Sequence, residues 1–267
     1  MHQTPSPPTV WRRPPLFGSL WRQRLAVALV AGYLVWSTST LEVNVERALA
    51  GFPRALDMFA RMVPPDFSRW QLLVNGMVES VQMAFAATLA GVLLSIPLGI
   101  AAAHNLAPRP LYLAARGFIV LGRTLHEVII AIFFVKLFGF GPVAGLLTLA
   151  FASAIFLGKM IAEDIENVRT GPVEAVRATG AGFGQVVVYG IVPQVLARAA
   201  GLAIYRLDAN LRHSTVVGIV GAGGIGQTLS ASFARYEYDF SLAILLSIIA
   251  LVALGEWFSD WVRRKLR

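Results

Sequence analysis

The sequence predicts an all-α integral membrane protein that crosses the bilayer about six times, and three observations carry that prediction. The first is composition: 56% of the 267 residues are hydrophobic and only 14% are charged, with a mean hydropathy of +0.65. Soluble domains carry about 25% charged residues, so this chain has more apolar surface than a water-soluble core can hide. The second is a series of apolar runs near the length of about 20 residues that a bilayer span needs. The third is the placement of positive charge, which gathers at the ends of those runs as membrane topology requires.

Two classes fall away at once. A formal charge of +8 invites a nucleic-acid reading, but no basic stripe interleaved with polar residues exists to meet a phosphate backbone. The chain has no cysteine, which excludes disulfides, thiolate metal sites and cysteine nucleophiles.

The elements follow in chain order. Residues 1–20 hold Pro5, Pro7, Pro8, Pro14 and Pro15 without apolar periodicity, and are expected to be a disordered cytoplasmic tail. Residues 21–70 are read as an N-terminal transmembrane helix, over 25–40, and a periplasmic loop. Ala48-Leu49-Ala50 is similar to a signal-peptidase site, yet it lies too far beyond the apolar run, so the helix is read as uncleaved. Further runs cover 76–103, 117–138, 143–162, 195–220 and 240–262. The run at 25–40 is the short one; the other five can span with some tilt. Trp257 and Trp261 suit interfacial anchoring of the last span.

With the N-terminus inside, the cytoplasmic segments 1–24, 104–116, 159–198 and 261–267 hold fourteen of the 23 Lys and Arg. The outside segments 41–70, 139–142 and 223–239 hold five. That excess places both termini in the cytoplasm.

Two loops do more than connect. Within the polar stretch between the fourth and fifth runs, Gly171-Pro172-Val173-Glu174-Ala175-Val176-Arg177-Ala178-Thr179-Gly180 reads as a short helix. Pro172 suits its first position, Glu174 its positive dipole end, and Gly180 its termination. Such a helix beside the membrane is shaped to enter a groove on a partner. The second loop, Gly221-Ala222-Gly223-Gly224-Ile225-Gly226, formally matches a dinucleotide fingerprint. It ends a membrane span instead of joining a strand to a helix, so a tight re-entrant bend or packed helix end is expected.

Glu174-Ala175, Gly180 and Pro193 resemble the cytoplasmic loop motif of binding-protein-dependent ABC importer permeases. Val176 stands in place of the motif's second alanine, and Ile191 lies one position late. The segment from Tyr205 to Gly226, together with Ile165-Glu166 through Thr179-Gly180 and Tyr189-Gly190-Ile191-Val192-Pro193-Gln194, is similar to the phosphonate importer permeases, with Asp208 where they carry glutamate. Methionine importer permeases share a related glycine-rich segment, so another small solute such as methionine is the alternative cargo.

The resemblance implies a MetI-like core of five helices plus one N-terminal helix. The permease domain would be 71–267, with a coupling loop at 163–194, in the bacterial inner membrane. A second copy of the chain, two ATPase subunits and an external solute-binding protein would complete the importer. Pro172, Glu174, Ala175, Arg177, Gly180 and Pro193 would serve ATPase coupling. No cofactor is expected on this chain, and ATP and Mg would sit on the ATPase. Consistent with that, no G-x-x-x-x-G-K-[ST] phosphate loop occurs: Gly158-Lys159 is followed by Met160.

Charge inside a span costs about 2.5–3.5 kcal/mol on insertion scales, so each such residue wants a partner or water. Arg123 with Glu127, and Asp208 with Arg212, have the i, i+4 spacing of helical pairs. Arg206, Asp208, Asn210, Arg212 and Ser214 are the expected translocation-path residues, with Arg206 and Arg212 supplying positive potential for an oxyanion. Gly221, Gly223, Gly224 and Gly226 are assigned to a structural glycine loop. His104, His126 and His213 show no metal-ligand spacing, and no metal site is expected. Ser214 beside His213 makes no catalytic set, because adjacent helical residues diverge, so an intramembrane enzyme is disfavoured. An ATP-independent transporter is disfavoured because its usual internal repeats are lacking.

Overall fold

A computed structural model describes residues 19–40 and 45–265, so the tail expected over 1–20 lies almost wholly outside the described residues. No strand occurs among the described residues. The chain divides into two compact units, residues 1–57 and 58–267.

In the first unit, α1 (Leu20–Thr40) has no buried residue. It is followed by α2 (Val45–Met62), which runs on into the second unit. Leu49, Phe52, Leu56 and Phe59 recur along α2 at helical spacing and are exposed, forming an apolar stripe. The stretch expected as a periplasmic loop contains this helix, and the periodicity at steps of three and four explains it.

The second unit is built on α3 (Trp70–Ala101) packed parallel to α6 (Pro142–Glu166), with Met83 beside Gly145, Gly91 beside Ser153 and Gly99 beside Ile161. Small residues make this approach close. Ala84, Ala87, Thr88, Gly91, Ser95 and Gly99 form one stripe of α3, and Ala150, Ser153, Ala154 and Gly158 face it from α6. Lipid gives apolar helices no reason to prefer one another, so backbone proximity and van der Waals packing supply the association.

The run expected as one span over 117–138 is two helices, α4 (Arg109–Thr124) and α5 (Glu127–Phe138), bent by 95°. Leu125 is extended, the Thr124 hydroxyl turns back to the Leu121 carbonyl, and the His126 side chain accepts from the Val128 amide. Polar groups thus satisfy the helix ends that the break exposes.

Beyond α6 come α7 (Thr170–Ala178), the single turn α8 (Phe183–Gln185), and a π-helical turn over Val186–Ile191. α9 (Val192–Ile219), α10 (Gly224–Ala234) and α11 (Tyr238–Lys265) complete the chain. Leu73, Ile225, Leu229, Phe240 and Ile244 knit α3, α10 and α11 at one end of the bundle. Ala103, Ile165, Val173, Val186 and Ile191 form the core at the other end, around α7. Among the described residues four helical segments are long and apolar enough to span, or six if the bent pairs α1–α2 and α4–α5 each count as one.

Candidate functional site

The α7 surface starts from a helix that begins earlier than expected. It opens at Thr170, so Pro172 lies in the first turn but not at its first position, and Glu174 lies beyond that turn. Proline is tolerated there because first-turn amides have no helical partner. Gly180, at φ +81°, donates its amide to the Arg177 carbonyl and ends the helix as a left-handed cap. Val173 is the buried anchor, while Pro172, Glu174, Ala175 and Arg177 are all exposed.

Gln194 holds the base of this loop: it accepts from the Arg169 amide at 3.0 Å and donates to the Gly190 carbonyl at 2.7 Å. Pro193 explains the π turn before α9. It has no N–H, and its ring excludes the carbonyl four residues back; the widened turn lets the Val192 amide reach the Val187 carbonyl instead. Val187, Ile191 and Val195 of this region line an apolar cavity of about 250 Å³ shared with α3 and α6. Glu166, at the end of α6, receives the His104 amide at 2.9 Å and Arg116 at 2.8 Å, which ties the α3 end and α4 to the segment that leads into α7.

A second constellation lies near the middle of α6 and α9. Asn210 is fully buried and donates to Thr88 of α3 at 2.8 Å and to Ser153 of α6 at 2.9 Å. Arg206, one turn earlier, donates to Ser153 at 2.9 Å and to Glu127 of α5 at 2.7 Å. Ser214 continues this inward stripe and is fully buried, with its hydroxyl on the Leu211 carbonyl. Asp208 and Arg212 pair at 2.8 Å along α9, as the spacing predicts, with the Arg212 side chain 52% exposed.

Arg123 and Glu127 do not pair. The break at Leu125 puts them on different helices, and Glu127 instead meets Arg206 and His213 of α9. His213 has Nδ1 2.5 Å from Glu127 Oε2. Thr88, Ser153 and Glu127 were therefore missed as network members. Only Glu127 carried a signal in the sequence, as a charge inside an apolar run. Among the described residues no cluster of His and acidic groups has the make-up of a metal site.

The glycine loop is a bend that no side chain would permit. Gly221, Gly223 and Gly224 have φ values of +92°, +85° and +70°. Gly226 has helical torsions, but a Cβ there would collide with the Thr215 carbonyl. Two residues of α3 cap the resulting α10: Glu79 accepts from the Gly224 amide and Ser80 from the Ile225 amide, both at 3.0 Å.

Residues 95–267 match the family described as "Binding-protein-dependent transport system inner membrane component". The Phosphite transport system permease protein PtxC of Stutzerimonas stutzeri is 38% identical over 92% of this chain and 90% of its own length. The Phosphate-import permease protein PhnE of Mycolicibacterium smegmatis is 37% identical over 92% of this chain, which spans about half (47%) of that relative's length. A chain of the MetNI methionine ABC transporter, solved in inward-facing conformations, superposes with a TM-score of 0.65. It covers 76% of this chain and 99% of its own at 24% identity, and so shows the likeness of fold.

Proposed function

The chain belongs to the family of binding-protein-dependent transport system inner membrane components, and from that premise we propose that it forms the path of an ATP-driven importer for phosphonate, phosphite or a related phosphorus oxyanion. The observation that carries the proposal is the α7 surface: Glu174, Ala175 and Arg177 are displayed on a helix anchored at Val173 and Gln194, and all three are exposed among the described residues. A separate ATPase docks on that face and moves α7. The motion passes through the π turn into α9 and through Glu166 into α4, and the path changes the side to which it opens. This chain holds no ATP or Mg; both act on the ATPase, and the chain itself is not a catalyst. Two copies of the chain, both termini in the cytoplasm, and an external binding protein that delivers cargo complete the assembly.

Phosphorus oxyanions are favoured as cargo by the relatives' names and by Arg212, which is half exposed in the middle of an apolar helix. Asp208 answers that charge on one side, and on the exposed side water or an anionic passenger can meet it. Co-expression with the ATPase supplies the test. The wild-type chain should co-purify with the ATPase and support uptake of radiolabelled phosphite or methylphosphonate. Glu174→Arg should abolish co-purification while the chain still inserts. An ATPase retained by Glu174→Arg would rule out α7 as the docking surface.

A further inference from the structure

At the bend between α4 and α5, Glu127 is held differently on its two sides. Oε1 takes a 2.7 Å hydrogen bond from Arg206, whose side chain is 7% exposed. Oε2 lies 2.5 Å from His213 Nδ1, a buried nitrogen that makes no properly directed hydrogen bond. The His213 side chain is 37% exposed, and Arg212 stands about 100° round the helix from it. The Arg206 side is therefore locked in the interior by a directed hydrogen bond, while the His213 contact is undirected and lies just beneath the exposed part of the ring, beside Arg212. Arg212 is itself matched by Asp208. Each outward-facing donor on this stretch of α9 has a carboxylate of the same chain beside it.

That matching has a consequence for anion passage. Unmatched cations in a low-dielectric path would hold an anion by several kcal/mol, whereas conduction needs sites that the anion can leave. An anion that meets His213 must displace a group of its own charge, so the net gain is the small difference between two similar pairings. We propose that Glu127 is the resident counter-anion of the path: its carboxylate holds His213 when the path is empty and yields it to a passing phosphorus oxyanion. Arg206 is the pivot, keeping Oε1 in place while Oε2 lets go. Tetrahedral phosphorus oxygens suit the exchange because they accept from an imidazole N–H and a guanidinium together, as a carboxylate does. Glu127 has this role only if an oxyanion is the cargo, as proposed above.

The test uses the assembled permease–ATPase complex, purified in detergent for binding and placed in proteoliposomes with excess binding protein for uptake. Glu127→Gln keeps an acceptor for Arg206 and removes the competing charge. Thermal shift, titrated with sodium phosphite against sodium chloride of equal ionic strength, should show phosphite bound about tenfold more tightly than by the wild type, or about 1.4 kcal/mol. Phosphite uptake should fall several-fold because the anion is retained. Glu127→Asp should return binding towards the wild-type level, and adding His213→Gln to Glu127→Gln should erase the gained binding. If Glu127→Gln binds no more tightly while the wild type imports phosphite, the counter-anion role is wrong and the oxyanion cargo stands. If Glu127→Gln gains a site that takes sulfate as readily, and the wild type imports no phosphorus oxyanion, the counter-anion role stands and the cargo assignment falls. Should Glu127→Gln fail to assemble, His213→Gln alone decides. A maximal uptake rate equal to the wild type overturns the role, and a several-fold drop at unchanged melting temperature supports it.

Discussion

Asn210 ties three helices with one amide group: its Nδ2 reaches Thr88 on α3 and Ser153 on α6 while its own backbone belongs to α9. Interhelical hydrogen bonds in membranes are worth about 0.6–1.7 kcal/mol each, because the separated helices find other partners. Asn210→Ala should therefore lower stability by roughly 1–3 kcal/mol, read as a lower melting temperature in detergent. A melting temperature equal to the wild type would mean that water replaces both bonds. Arg206, Asn210 and Arg212 were legible in the sequence because polar groups stand out in an apolar run. Thr88 and Ser153 were not, since small hydroxyl residues occur throughout membrane helices and usually bond their own backbone. Arg123 and Glu127 misled for a physical reason: i, i+4 spacing implies proximity only while the helix continues, and it ends at Thr124.

At the scale of elements, the apolar runs located α3, α6, α9 and α11, because lipid burial leaves an unbroken hydrophobic signature. The same signature hid the break between α4 and α5, where three polar residues in Thr124-Leu125-His126-Glu127 were too few to interrupt the run. It also hid α10, whose start is fixed by α3 side chains far away in sequence. Pro193 tests the link from α7 to the bundle. Pro193→Ala restores an amide, lets the π turn tighten to α-helix and re-aims the loop that carries α7. ATP-driven uptake should drop several-fold while the chain remains folded, measured in proteoliposomes beside gel filtration. α2 supports a prediction of its own: a helix with Leu49, Phe52, Leu56 and Phe59 along one side belongs in the plane of the membrane interface. A tryptophan placed at Phe52 should be quenched by lipids brominated near the headgroup more than by lipids brominated at the chain end. The reverse order would place α2 across the membrane.

The molecule as a whole depends on how closely α3 and α6 approach. A Cβ at Gly91 would strike Ser153 and crowd the Ala150 carbonyl. Gly91→Leu would pry the pair apart and shift Ser153 out of the Arg206–Asn210 network. The overpacking cost is about 1–3 kcal/mol, and uptake and melting temperature should fall together. Orientation is open to a clean measurement because the chain has no cysteine of its own. A single cysteine at Ala175 should react with a membrane-impermeant maleimide only in inverted vesicles, and labelling in intact spheroplasts would reverse the topology. The Glu79 contact with the Gly224 amide spans 145 residues of sequence, and that separation is also an interval of time. A ribosome adding roughly 5–20 residues per second delivers Glu79 to the membrane on the order of 7–30 s before the amide it will cap exists. During that wait an acidic side chain stands at a helix flank with no partner from its own chain. The insertion machinery, or water at the bilayer edge, has to shelter it until Gly224, near the end of the chain, arrives.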